Sequence, residues 1–116
     1  MHVYQLAMDL LVRIYKETKC FPGEEKFGLI SDMRRAANSI THNIAEGFGR
    51  FEARDKTRFY KISRGSSYEL MSQNYASFQI GFQSKEVVDE LNSACKQVIE
   101  ELDSLIKSIE NPQPKP

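Results

Sequence analysis

Apolar residues recur at intervals of three and four along most of this chain, the spacing that places them on one side of an α-helix. Four helices are predicted from this pattern: Val3 to Lys19, about Glu24 to Gly49, Ala53 to Gly81, and the N-cap Ser84 to the stop at Asn111-Pro112. Four helices with short connections favour an all-α fold, an antiparallel up-down-up-down four-helix bundle.

The 116 residues predict a single domain, residues 1–110, followed by a disordered tail at 111–116. Glu24 and Glu25 suit the positive first turn of the second helix. Gly81 is the expected terminating glycine of the third helix.

The third predicted helix carries apolar residues on two nearly opposite sides. One side holds Phe59, Ile62, Leu70 and Ile80, with the small Ser66 among them. The other side holds Tyr60, Met71, Tyr75, Phe78 and Phe82. Because a helix of a four-helix monomer buries one stripe, we expect the second side to be an interface in a homo-oligomer. In the alternative interpretation these aromatics cover the ends of the bundle or lie under loops.

Small residues in the middle of the same helix point in the same direction. Gly65, Ser66 and Ser67 follow one another there. Such residues lower helix propensity, and a close approach of another helix would explain them.

The charges are polarised along the chain although the net charge is zero. Residues 34–64 contain eight basic and three acidic side chains, whereas residues 86–110 contain seven acidic and two basic ones. The basic segment is the best functional lead in the sequence.

A candidate nucleic-acid interface lies in this basic segment. Arg54, Arg58 and Lys61 are spaced as one stripe and would contact phosphates, with Arg34, Arg35 and Arg50 either joining them or bracing the bundle. The interleaved aromatics Phe48, Phe51 and Tyr60 suit base stacking. Two alternatives are a solvated face with ion pairs to Glu46, Glu52 and Asp55, and docking onto the acidic fourth helix of a neighbour.

The outer side of the second helix is expected to hold a structural polar network. Its predicted members are Arg35, Ser39, Asn43, Glu46 and Arg50. Arg50 follows Glu46 by one turn, the spacing of a helical ion pair.

Residues for other chemistries are scarce. The two histidines, His2 and His42, lack the Glu-x-x-His spacing of a metal site in a bundle, so no metal or cofactor is expected. The sequence contains no set of residues typical of a catalytic site, and the chain is expected not to be an enzyme.

Cys20 and Cys95 are expected to be reduced. Because no apolar run could span a bilayer, we expect a cytoplasmic protein without membrane contact.

Three segments resemble one bacterial protein family, the 23S ribosomal RNA intervening-sequence proteins. They are Phe21-Pro22-x-Glu24-Glu25-x-Phe27-Gly28-Leu29, Arg34-Arg35-Ala36-Ala37-x-Ser39-Ile40-x-x-Asn43-Ile44-Ala45-Glu46-Gly47-x-Gly49-Arg50 and Gly65-Ser66-x-x-Glu69-Leu70. The family also looks related to the accessory variability determinant of diversity-generating retroelements. The resemblance implies a four-helix bundle that forms a ring-like homopentamer, a link to RNA, and partners such as nucleic acid or a reverse transcriptase.

The leading hypothesis from the sequence is a non-enzymatic, oligomeric RNA- or DNA-binding accessory protein. The alternative is a scaffold that docks a protein partner and binds no nucleic acid. The neutral total charge and the additional aromatic side of the third helix favour this alternative.

Overall fold

The computed structural model describes residues 1–112. In this range the regular secondary structure consists of helices joined by short connections, without a β-strand. The helices are α1 (His2–Thr18), α2 (Leu29–Phe48), α3 (Ala53–Gln79) and α4 (Lys85–Glu110), with a short 3-10 helix at Gly23–Glu25. This confirms the predicted all-α fold with four helices. The predicted disorder of the tail falls largely on residues 113–116, which lie outside the described residues.

The start of α2 differs from the prediction. Glu24 and Glu25 lie in the 3-10 helix, and α2 begins only after Gly28. Gly23 and Gly28 flank this stretch, and glycine disfavours helix, so one tight turn forms instead of a continuous helix. The Glu25 carboxylate still serves α2, because it accepts a hydrogen bond from the amide of Leu29 at 3.5 Å.

The turn between α3 and α4 follows the predicted signals. Gly81 has a φ of +88°, the left-handed conformation that favours glycine after a helix. The amide of Phe82 donates to the carbonyl of Ser77 at 2.8 Å, and the amide of Gly81 donates to that of Phe78 at 3.0 Å. The Ser84 hydroxyl caps α4 by accepting from the amide of Val87 at 3.2 Å.

The core lies between the four helices, each of which contacts two others. α2 packs on α1 and α3, and α4 packs on α3 and α1. The fully buried apolar side chains come from every helix and include Ile14, Met33, Ile40, Ile44, Leu70, Leu91, Cys95, Val98 and Leu102. Phe21 closes the end of the bundle at the α1–α2 connection against Phe82, with their ring centroids 5.4 Å apart.

The buried stripe of α3 is mostly polar, which corrects the predicted apolar face. Its buried residues are Thr57, Tyr60, Ser63, Ser67, Leu70, Asn74 and Ser77. Ile62 and Ile80, which the pattern placed on one apolar side with Leu70, are exposed. The buried hydroxyls are satisfied by helix carbonyls: Ser63 donates to Ile40 across the α2–α3 interface and Ser67 donates to Ser63. Small side chains therefore let the two helices approach closely.

The predicted oligomer face of α3 is divided by the structure. Tyr60 is only 2% exposed and lies in the core. Met71 and Phe82 pack against the same core. Tyr75 is exposed and Phe78 is half-buried, and their ring centroids are 6.4 Å apart. Of the five predicted residues, Tyr60 is excluded from a surface contact, and Tyr75 is the one most open to solvent.

Candidate nucleic-acid interface

The corner where α2 leads into α3 is held by a close contact and by a lysine. A Cβ atom on Gly47 would lie 2.6 Å from Cε1 of Tyr60, so only glycine permits this packing of the two helices. The Lys56 ammonium donates to the carbonyls of Gly47 and Phe48 at 3.2 and 3.0 Å. It thereby gives two carbonyls at the C-terminal end of α2 a hydrogen-bond donor, and its positive charge complements the negative end of the helix dipole.

The three predicted phosphate-contacting residues come together on the first turns of α3, which follow this corner. Arg54, Arg58 and Lys61 line one open depression of about 550 Å³ on α3, near the C-terminal end of α4. The depression is completed by Asp55, Thr57 and Glu110. Arg54, Arg58 and Lys61 thus lie together, as their helical spacing predicted. Two acidic side chains, Asp55 and Glu110, lie on the same surface.

Ion pairs within the chain involve part of this basic surface. Lys61 pairs with Glu110 at 2.5 Å, and the Arg58 Nε atom lies 4.0 Å from the Asp55 carboxylate. Arg64 pairs with Asp103 of α4 at 2.7 Å. Within residues 1–112, no carboxylate lies within 4.0 Å of the Arg54 guanidinium. The acidic fourth helix of the same chain thus neutralises part of the basic segment.

Two arginines of the corner lie over one aromatic ring. The guanidinium carbons of Arg50 and Arg58 are 4.8 and 4.3 Å from the ring centroid of Phe59. Arg50 also donates to Glu46 at 3.0 Å. Cation–π contacts of this kind hold the guanidinium planes in place. The sequence pattern placed Phe59 on one apolar side of the third helix and did not predict these contacts, although Phe59 is adjacent to Arg58 in the sequence.

Arg34 and Arg35 do not join the basic corner. The Arg34 guanidinium lies 4.5 Å from the ring centroid of Tyr15, and its Nε atom donates to the Thr18 hydroxyl at 3.0 Å. Arg34 therefore braces the end of α1. Arg35 pairs with Asp32, three residues before it on α2. The structure thus favours the bracing role over phosphate contact for Arg34, and it separates both residues from the stripe on α3.

The predicted polar network of α2 consists of separate groups. Asn43 donates to the carbonyl and the hydroxyl of Ser39 at 2.8 and 3.1 Å. The hydroxyls of Ser39 and Ser66 are 2.7 Å apart, which links α2 to α3. Glu46 and Arg50 form their own ion pair. Arg35, which was predicted as a member, bonds instead to Asp32, so no single network joins the five residues.

The exposed aromatic side chains at the corner are Phe48 and Phe51. Phe48 is 64% exposed, and Phe51, in the connection between α2 and α3, is 98% exposed. Tyr60, the third predicted stacking residue, is buried and cannot reach a base. The aromatic surface of the corner therefore comes from two residues.

The thiol of Cys95 and the hydroxyls of Ser66 and Ser67, which are nucleophiles by residue type, have little reactivity in this structure. Burial raises the pKa of the Cys95 thiol to about 12, so the thiol stays protonated at neutral pH. Ser66 and Ser67 are engaged in hydrogen bonds of the helix packing.

Within residues 1–112, no cluster of three or more His, Cys, Asp or Glu side chains is placed to hold a metal ion. None of the described helices is long and apolar enough to cross a membrane.

Comparisons with known proteins bear on the fold and the family. The model of the 23S rRNA-intervening sequence protein family matches residues 1–104. A crystal structure of a protein of unknown function from the S23 ribosomal protein family of Bacteroides thetaiotaomicron superposes with a TM-score of 0.81 at 20% identity. The superposition covers 90% of this chain and 98% of that chain. None of the curated proteins matches the sequence.

Proposed function

The chain belongs to the 23S rRNA-intervening sequence protein family, and on this premise we propose that it is a non-enzymatic, oligomeric nucleic-acid-binding accessory protein. The observation that carries the proposal is the convergence of Arg54, Arg58 and Lys61 on one open depression. RNA is the favoured nucleic acid because the family is named for ribosomal RNA. The same connection supports a cytoplasmic location.

The ion pairs at the corner are compatible with phosphate binding. Exposed ion pairs contribute about 0.2–1 kcal/mol each, because water screens them and both side chains lose entropy. A phosphate can therefore replace Asp55 or Glu110 as the partner of Arg58 or Lys61 at small cost. Arg54 has no competing carboxylate within 4.0 Å in the described part of the chain, so it is the first residue expected to contact a phosphate.

The proposal includes an up-down-up-down bundle that assembles into a homo-oligomer, a homopentamer by resemblance to the family. The contacts between α3 and α4 support an antiparallel pair, because Lys61 reaches Glu110 whereas Asn74, further along α3, reaches Asn92. Assembly would strengthen binding, since several copies of a modest basic surface act together on one nucleic acid.

A second candidate function is a scaffold that docks a protein partner. It is favoured by exposed apolar side chains along α3, which are Ile62, Tyr68, Tyr75 and Ile80. Apolar docking depends little on salt, whereas phosphate contact weakens steeply with salt through counterion release. Salt dependence therefore distinguishes the two candidates.

Charge reversal of the corner tests the proposed function. We expect the variant carrying Arg54→Glu and Arg58→Glu to bind a labelled structured RNA at least tenfold more weakly at low salt. Loss of two phosphate contacts should also reduce the slope of log K against log salt by about 1.8. The matched control is Lys16→Glu, an exposed residue of α1. Unchanged binding by the double variant, with its helical circular dichroism intact, would refute the phosphate assignment.

A further inference from the structure

We infer that the corner between α2 and α3 binds single-stranded nucleic acid by stacking unpaired bases on Phe48 and Phe51. The inference rests on the proposed function and adds the class of ligand. Its starting observation is the 98% exposure of Phe51. The fold gains no packing from an aromatic ring left in water, and this ring follows Arg50 directly in the sequence.

The corner is fixed before any ligand binds. Lys56 holds the carbonyls of Gly47 and Phe48, and Gly47 packs directly against the ring of Tyr60. The connection from the end of α2 to the start of α3 is four residues long, 49–52. Little backbone entropy is therefore lost when a base stacks on either phenylalanine, and such preorganisation favours affinity.

Cations adjoin both rings: the Lys56 ammonium lies 5.9 Å from the ring centroid of Phe48, and Phe51 follows Arg50 in the sequence. Phe51 lies between Arg50 and the first turn of α3, which carries Arg54. The guanidinium groups of Arg50 and Arg58 both lie over the ring of Phe59. Phe48 and Phe51 are three residues apart, so their Cα atoms are at most about 11 Å from each other. Neighbouring nucleotides of one strand could thus occupy both rings while their phosphates contact these arginines.

Unpaired bases fit this surface better than a duplex does. In a duplex the faces of the bases are covered by their stacked neighbours, so exposed phenyl rings cannot reach them without unstacking the helix. In a single strand the faces are free, and stacking on an aromatic side chain tolerates any base. A duplex would use only the arginines of the corner.

The first arm of the test removes the rings. The chain as it stands is titrated with a labelled oligouridine and with an RNA duplex of the same length, at low salt, by fluorescence anisotropy. Phe51→Ala should weaken oligouridine binding about tenfold, and adding Phe48→Ala should weaken it further, because each base stacked on an aromatic ring adds affinity of this order. Duplex binding should change less than twofold. Phe27→Ala, an 89% exposed phenylalanine before α2, is the control and should change neither.

The second arm reports stacking directly. The chain contains no tryptophan, so Phe51→Trp introduces a single tryptophan at the corner, whose emission reports on that site. Oligouridine should quench its emission and leave that of the control Phe27→Trp unchanged. This variant also keeps an aromatic ring, so it should bind oligouridine as tightly as the parent chain does.

The outcomes separate this inference from the proposed function. If Arg54→Glu weakens binding of both RNAs while Phe51→Ala weakens neither and Phe51→Trp is not quenched, the stacking inference is wrong and the proposed function stands. If the parent chain binds neither oligouridine nor duplex, both are wrong. Quenching of Phe51→Trp together with selective loss of oligouridine binding in Phe51→Ala supports the inference.

Discussion

At the scale of residues, arginines of the same basic segment have different structural environments. Arg34 braces the end of α1 through Tyr15 and Thr18, while Arg58 lies over Phe59 at an open corner. The sequence could predict the stripe of Arg54, Arg58 and Lys61, because that spacing belongs to one helix. It could not predict the partner of Arg34, because that partner lies on another helix and is set by the packing.

Two glycines offer a matched test of this packing. Gly47 has the ring of Tyr60 within 2.6–2.8 Å of a built Cβ atom, whereas Gly65 has nothing within 4 Å. Gly47→Ala should lower the free energy of unfolding by about 1–3 kcal/mol through overpacking. Gly65→Ala should raise it by about 0.5–1 kcal/mol through helix propensity. Urea unfolding at equal protein concentration measures both, and a stabilising Gly47→Ala would contradict the close approach of α2 and α3.

At the scale of elements, α3 shows where hydrophobic patterning succeeds and where it fails. The pattern and the capping residues correctly predicted four helices, the left-handed Gly81 and the Ser84 cap. They did not predict which side of α3 is buried. Serine and threonine can be buried there because their hydroxyls donate hydrogen bonds to helix carbonyls, so the buried side need not be apolar. The pattern and the capping residues also missed the break at Gly28, because Gly23 and Gly28 disfavour helix more than Glu24 and Glu25 favour it in a first turn.

The exposed part of α3 carries the prediction about assembly. We expect the chain to have the mass of an oligomer by light scattering, and we expect Tyr75→Lys to lower that mass because it places a charge on the exposed part of the predicted interface. The control Phe27→Lys makes the same kind of change away from α3. A monomeric parent chain would rule out self-association, and an unchanged oligomer in Tyr75→Lys would show that another surface joins the copies.

At the scale of the whole molecule, the polarised charges meet within the chain. Basic side chains of α3 pair with acidic side chains of α4, through Arg64 with Asp103 and Lys61 with Glu110. The net charge of zero comes from equal numbers of basic and acidic residues, and these pairs bring part of the two opposite charges together. At the α2–α3 corner, the Arg54 guanidinium has no carboxylate within 4.0 Å among residues 1–112.

The most direct test of the nucleic-acid proposal is the salt dependence of binding by the unmodified chain. Anisotropy with a labelled structured RNA and a single-stranded DNA, at 50 and 200 mM salt, would measure it. Three phosphate contacts per chain predict an affinity that falls by about 40-fold for a duplex-like RNA over this range. The absence of binding at low salt, or binding that does not respond to salt, would contradict the account and favour a protein-docking scaffold.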